Sequence, residues 1–515
     1  MNIGLTTMFA YRPHVEHMFF LSKEFKVAGH KVFHFNCKSS VPNCYTLELR
    51  NSSKLKECSK CILGSLYSYT NENTTFIDPN LKTEKDLIQL TQSSSYTLTR
   101  IENPEDKNLP DVIEIQKRLL DSVQIAYENT KEWIIKNQLD YVLFFNGRMD
   151  ITAAIKQACE DLNIKFTAVE RTWFGDGIQF NPGQNCLSLN ALHELSREYI
   201  SKPLTKHQIS TAASHITTRF RTGVNLEWRN YNKDAQDIEW PAGRTGLKIL
   251  ILPSSKNEQL GQHDWRNEWD DYTSIFEKVI SKFSGKFNNC IVRGHPNWSE
   301  NIGKVKGTRI SDYYEDWCTK KDVHFLPGHT KANTTNLIAQ ADLVILNGSS
   351  AVYEAALLGT PTISVGRCQY QFGNFSKMVL SDSELNDLNP NDILNQDPKE
   401  TIRMALRFIY IFGIRYAIFN NVIKAKTTTK FEYHDHIDTD RILKIIDTNK
   451  LIPDDTDFSL NEEEEDEIIQ LVLEKSWDKL EYNPETLNKK KLKIERRGVF
   501  KTVDKIRDFF PRGDF

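Results

Sequence analysis

At 515 residues the chain exceeds the roughly 250–300 residues over which a single hydrophobic core keeps growing, so two domains with a cleft between them are expected. A composition of 39% hydrophobic, 11% aromatic and 26% charged residues excludes a disordered or fibrous protein. A formal net charge of -3 and a pI near 6.5 exclude a bulk electrostatic footprint for nucleic acid, which leaves any phosphate site to be built locally.

The first twenty residues carry no basic leader before an uninterrupted apolar stretch, which reads as a cytoplasmic chain. Ile3 to Phe9 reads as a strand, Val15 to Lys26 as an amphipathic helix and Lys31 to Phe35 as a second strand, a βαβ opening. From about residue 38 to 106 the chain is rich in Ser, Thr, Asn and Lys without periodicity and reads as a polar insertion. Cys37, Cys44, Cys58 and Cys61 cluster there, with one C-x2-C pair; the pattern fits either a structural zinc site pinning the insertion or reduced cytosolic thiols.

Helical spacing then covers Val112 to Asn137, and Tyr141 to Phe145 is a buried strand ending at Asn146-Gly147-Arg148. Ile151 to Leu162 reads as a helix, Lys165 to Val169 as a strand, and Glu170 to Gly177 as its following loop. Ligands of open parallel sheets lie outside the carboxyl ends of strands, so Arg148 and Glu170 are expected to face one crevice. Residues 190 to 240 are helical in pattern, and Pro241 to Gly246 reads as the linker that ends a first domain, 1–240. A second series follows, assigned to residues 247–400: strands Lys248–Leu252, Asn289–Arg293, Val323–Leu326, Leu343–Leu346 and Thr362–Val365, with helices Trp269–Phe283, Thr334–Gln340 and Ala351–Leu358 between them. The alternation predicts an α/β fold of two Rossmann-like, doubly wound domains facing a cleft.

Three segments of the second domain carry chemistry. In 341–361 an apolar strand runs into Gly348-Ser349-Ser350 ahead of a helix, where backbone N–H groups and Ser hydroxyls favour a phosphate or merely cap the helix. Glu354, one turn on, suits ribose hydroxyls. In Arg293-Gly294-His295-Pro296 the proline ends the strand and presents Arg293 and His295 at the sheet edge, both suited to phosphate. Ser254, Ser255, Lys256 and Glu258 follow the first strand of the domain and should border the cleft, where Ser254, Ser255 and Lys256 either touch donor or acceptor or form a plain polar loop.

The strand-His-Pro and strand-Ser-Ser-x3-Glu-Ala-x3-Gly-x-Pro pair resembles the bacterial capsule and lipopolysaccharide glycosyltransferases of GT-B fold, over most of residues 247 to 375. The two motifs are similar to those of polysialyltransferases and Kdo transferases, which use CMP-activated sugars; a His-Pro motif also recurs in CDP-glycerol-type polymerases. The resemblance implies an N-terminal acceptor domain and a C-terminal domain whose His295, Ser349 and Ser350 hold a nucleotide-sugar donor. A base for the acceptor hydroxyl is then required, with no obligatory metal; Glu170 is the first candidate, with Asp150 and Asp176 as alternatives. The implied product is a surface polysaccharide or its lipid-linked precursor. A CDP-glycerol or CDP-ribitol polyol-phosphate transferase, a sugar-nucleotide 2-epimerase and a non-enzymatic nucleotide-binding module remain alternatives.

Residues 402 to 423 read as a core helix, or a membrane-facing one, within a 401–460 segment of helices that returns to the first domain. In 461–515 an acidic helix, Glu462 to Glu474, precedes a basic amphipathic stretch, 489 to 512, that suits either the inner face of the cytoplasmic membrane or a solvated tail with a partner helix.

Overall fold

Strands apolar on both faces belong inside a sheet covered on both sides, and that rule organises the chain, a computed structural model of which describes residues 1–220, 235–269, 271–283, 286–303, 308–480 and 490–502. Strands β1 (Asn2–Thr6), β2 (Lys31–Asn36), β3 (Thr74–Phe76), β4 (Tyr141–Phe145) and β5 (Lys165–Arg171) run parallel, and β6 (Ile178–Pro182) turns back antiparallel to β5. The second sheet holds β7 (Ile249–Leu252), β8 (Cys290–Arg293), β9 (His324–Leu326), β10 (Leu343–Leu346), β11 (Thr362–Ser364) and β12 (Lys377–Met378), all parallel. Its order is β12-β11-β10-β7-β8-β9, and the first sheet has the same winding, β6-β5-β4-β1-β2-β3. In each, the order reverses beside the first strand, which opens a crevice at the carboxyl ends of β1 and β4 and of β7 and β10. The expected class, α/β with two doubly wound domains across a cleft, is the one formed.

Several local expectations are corrected. Strand β1 stops at Thr6, and Met8 and Phe9 are buried in the loop beyond it. The Glu170 to Gly177 loop is shorter than its sequence suggests, because β5 continues through Arg171 and Glu170 pairs with Gln179 of β6. The insertion is not irregular: it contains helices Tyr45–Arg50, Lys54–Gly64 and Gln92–Thr99 besides β3. The last of these hides from apolar periodicity because it buries hydroxyls, with Thr97 and Thr99 donating to the carbonyls of Ser93 and Ser95 at 2.9 and 2.7 Å.

Residues 402 to 423 are not one helix. An α-helix spans Pro398–Tyr410, a π-helical turn spans Ile411–Arg415, and β13 (Ala417–Ile418) then joins the edge of the first sheet against β6. Beyond it β14 (Ile423–Ala425), β15 (Phe431–His434) and β16 (Lys491–Leu492) form a small antiparallel sheet. At the π turn Gly413 faces the Phe174 ring, and any Cβ there would be driven into it. Phe174 is itself clamped between Trp173 and His215, at ring separations of 4.5 and 4.6 Å. Gly413→Ala is therefore expected to destabilise the protein by about 1–3 kcal/mol through overpacking; an unshifted urea midpoint would refute this.

The acidic helix Glu463–Leu473 docks on the helix Pro398–Tyr410 through ion pairs and not as a free appendage. Glu465 is fully buried and accepts from Arg403 Nη1 at 2.7 Å, from Arg407 Nε at 2.8 Å and Nη2 at 2.7 Å, and from the Leu204 amide at 2.7 Å. Of the basic stretch 489 to 512, Lys489 and residues 503–512 lie outside the described residues. In the described part Arg496 donates to the Leu63 carbonyl, and Arg497 lies over the Tyr67 ring, 4.2 Å from its centroid. Among the described residues no helix is long and apolar enough to cross a membrane.

Candidate functional site

The crevice of the first domain starts from a backbone corner. Asn146 and Gly147 both take positive φ, +69° and +79°, a conformation that Asn and Gly tolerate best, and so turn the chain sharply out of β4 into the helix Asp150–Asp161. The corner fixes Asn146: its Oδ1 accepts from the amides of Arg148 and Met149 at 3.1 and 3.4 Å. Its Nδ2 is thereby left to donate to Glu170 Oε2 at 3.1 Å. On the other carboxylate oxygen, Oε1 accepts the Arg171 amide at 3.0 Å and lies 3.1 Å from His14 Nε2. Burial pushes the Glu170 carboxyl up to about 7, against the lowering effect of the Arg171 and Asn146 donors and of Arg148. Burial likewise pulls His14 down to about 3. The imidazole is then neutral, and its Nε2–H is the proton available to Oε1. A carboxyl poised near neutrality, oriented by fixed donors, is suited to taking a proton from a hydroxyl.

Glu170 opens into a cavity of about 640 Å3 between the two sheets, walled on one side by Tyr11, His14, Tyr45 and Arg148 and on the other by Glu258, Asn297 and Gln369. Arg148 and Glu170 thus face one crevice, as expected, and Glu258 joins them. Arg148 is held by the hydroxyls of Ser93 and Thr97, both at 3.1 Å, and its Nη2 lies 3.3 Å from Glu258 Oε1 across the cleft. The other two candidate bases are placed elsewhere. Asp150 is fully buried, accepts the Tyr45 amide at 2.8 Å and is pushed up to about 7 by burial; it supports the wall residue Tyr45 and does not line the cavity. Asp176 binds Lys424 Nζ at 2.7 Å and the Ala425 amide at 2.8 Å, anchoring β14.

In the second domain three loops stand next to each other because β10, β7 and β8 are adjacent strands. They are tied together by side chains expected to bind ligand. Ser254 donates its amide and hydroxyl to Asn347 Oδ1 at 2.7 and 3.1 Å, while Ser255 Oγ donates to Asn297 at 3.2 Å and accepts from Trp298 at 2.7 Å. Both hydroxyls are engaged within the domain. Arg293 is spent likewise, on the carbonyls of Gly294 and Pro327 at 2.8 Å and Thr330 at 2.7 Å, so its reach to a phosphate is taken up by the loop. His295 accepts the Asn297 amide through Nδ1 at 3.2 Å; Asn297, and not His295, lines the cavity.

Ser349 and Ser350 sit at the carboxyl end of β10, half-buried and exposed respectively, ahead of a helix that spans only Val352–Leu357. Glu354 is not solvated: its Oε2 pairs at 2.7 Å with Arg219, which also donates to the Ser350 carbonyl at 3.1 Å. Lys256 does reach this segment. Its ammonium is buried, donates to Gln259 at 3.1 Å and would stand 2.9 Å from any Cβ at Gly348, whose φ of +109° already calls for glycine. Burial pulls Lys256 down to about 8. From the first domain Glu102 accepts the Lys256 amide at 3.2 Å and the Tyr314 hydroxyl at 3.1 Å, and is pushed up to about 7 by burial.

Sequence reasoning missed His14, Asn146, Arg219 and Glu102. For the first two the signal was present, since both follow strands that flank the topological switch. The thiols of Cys37, Cys44 and Cys61 are pushed up by burial, Cys61 to about 12, and all four insertion cysteines are free. Among the described residues no group of three or more His, Cys, Asp or Glu side chains is arranged to hold a metal ion.

No protein-family model matches the chain, and neither does any curated protein. Solved structures similar to it include the KpsC β-Kdo 2,4 transferase of Thermosulfurimonas dismutans, 11% identical over 57% of this chain and 82% of that one, with a TM-score of 0.33. A UDP-GlcNAc 2-epimerase of Methanocaldococcus jannaschii, in complex with UDP-GlcNAc and UDP, is 10% identical over 77% and 94% of the two chains, with a TM-score of 0.30. The spinosyn rhamnosyltransferase SpnG is 9% identical over 80% and 95%, with a TM-score of 0.23. Similarity at this level carries no information on donor or acceptor.

Proposed function

We propose that this chain is a glycosyltransferase, moving a sugar from a nucleotide-activated donor to a glycan or lipid-linked acceptor of bacterial surface polysaccharide synthesis. A CMP-sugar such as CMP-Kdo or CMP-sialic acid is the favoured donor, because the His-Pro and Ser-Ser motifs are of the type that resemblance associates with CMP. The observation that carries the reading is Glu170, a carboxyl pushed up to about 7 by burial and aimed into a cleft whose far wall is built by the loops next to those motifs. Glu170 takes the proton of the acceptor hydroxyl as its oxygen bonds to the anomeric carbon; the bond from that carbon to the phosphate oxygen breaks, and the nucleotide leaves. Lys256, buried beside Gly348 and behind the cavity wall, adds positive potential on the side where charge develops on the leaving phosphate. A lipid-linked acceptor would bring the reaction to the inner face of the cytoplasmic membrane.

Melting the protein with CMP, CDP, UDP and GDP tests the donor. A ligand that binds only the folded state adds about 2.7 kcal/mol at a hundredfold excess over its Kd. CMP is expected to raise the melting temperature most; a larger shift with UDP or GDP would reassign the donor, and no shift with any would end the reading. With the donor in hand, transfer of phosphate along with the group would mark a polyol-phosphate transferase. Conversion of the nucleotide sugar without an acceptor would mark an epimerase.

A further inference from the structure

A second cavity, of about 630 Å3, lies on the first domain where the start of the helix His14–Val27, strand β15 and the segment after β16 meet. It shares a wall with the catalytic cleft: Tyr11 and His14 line the cleft, while Arg12, Pro13 and Glu16, from the same stretch of chain, line the second cavity.

The charge of this cavity is one-sided. Its basic residues are Arg12, Lys430, Lys491, Lys493, Arg496 and Lys501, set against Glu16, Glu432 and Glu495. Each carboxylate already has a basic partner: Glu16 with Arg12 at 3.0 Å, Glu432 with Lys491 at 2.5 Å and Glu495 with Lys501 at 2.6 Å. Among the described residues no carboxylate pairs with Lys430 or Lys493, and both are exposed at the rim. The back wall is aromatic, with Tyr69, Phe431 and Tyr433, so the recess offers flat apolar faces between cations. That combination fits rings bearing carboxylates or other anionic substituents. A bilayer surface presents its headgroups to a protruding basic face, whereas these lysines rim a hollow.

We propose that this cavity binds anionic saccharide units of the acceptor glycan, distal to the unit whose hydroxyl lies against Glu170. The inference rests on the glycosyltransferase reading for the word acceptor; the binding itself is separable from it. The path runs from the cleft over Arg12 and Pro13 into the basic recess.

The test uses the full chain and a short oligogalacturonate as probe, with its carboxyl-reduced neutral counterpart and phosphatidylglycerol vesicles alongside. The oligogalacturonate is expected to bind, more weakly as salt rises, and the neutral counterpart not to. Reversing both rim charges, Lys430→Glu with Lys493→Glu, is expected to weaken binding about tenfold or more, because the removed field becomes a repulsive one. Lys430→Arg with Lys493→Arg should restore it, and Glu170→Gln should leave it in place, which separates this recess from the cleft. Equal binding of the neutral saccharide, or undiminished binding by the charge-reversed chain, would overturn the proposal. So would vesicle binding that depends on these two lysines without any saccharide binding. Failure of transfer with every donor would end the catalytic reading and leave this result standing; loss of saccharide binding alone would do the reverse.

Discussion

Glu170→Gln is expected to lower kcat/KM for sugar transfer by about 100- to 10,000-fold, the range over which positioned acid–base groups act. The substitution keeps the side-chain shape and an oxygen able to accept from the Arg171 amide or Asn146, so the fold should survive. The pH profile supplies the sharper readout. A base must be ionised to accept a proton, and burial has pushed this carboxyl up to about 7, so wild-type activity should climb as pH rises through that value. Below it, activity should fall about tenfold per pH unit. In the Gln variant that limb should vanish. Asp150 and Glu102 are also pushed up to about 7 but lie outside the cavity wall, so a limb that persisted in the variant would reassign the titration to one of them. Near wild-type turnover by the folded variant would remove Glu170 from the mechanism.

Glu465→Ala is the change expected to cost most in stability. It leaves Arg403 and Arg407, whose side chains are 5% and 1% exposed, without the carboxylate both share. Breaking a buried pair by removing one partner typically costs about 3–5 kcal/mol, because the remaining charge stays in a medium that solvates it poorly. Glu462 and Asp466 still reach these guanidiniums, at 2.8 Å each, but from half-exposed positions. The Leu204 amide also loses its acceptor. The melting temperature should drop, and hydrogen exchange should accelerate first in Glu463–Leu473, whose attachment this network supplies. Unchanged melting and exchange would show that burial of Ile468, Ile469 and Val472 is enough to hold the helix.

Most of the parallel strands were legible because they are apolar runs ended by a turn signal, whereas β3 and β12, short and partly polar, were not; Arg148 and Glu170 meet as the switch-point rule anticipates, and Glu258 joins them. Legibility failed where burial is polar. The helix Gln92–Thr99 buries five hydroxyl residues alongside Tyr96 and Leu98 and so carries no apolar periodicity. Donor-side residues were chosen by chemical type, and type does not reveal engagement: Arg293, Ser254 and Ser255 have the donors a phosphate wants, yet neighbouring loops already use them. Long-range partners were invisible for the same reason. Arg219 meets Glu354, and Glu102 meets Lys256, across separations in sequence that no local pattern reports.

The edge strand at Ala417–Ile418 has a topological consequence. Because the chain goes back to the first sheet after finishing the second, the second half is an insertion in the first and is joined to it by two covalent passages, not one. A body held at two points swings as a door does, about the line between its hinges, and does not tumble as on a single tether. Cleaving the chain between the halves would therefore not yield two complete domains: the front fragment would lack its outermost strand, and the back fragment would carry that strand with nothing to pair against.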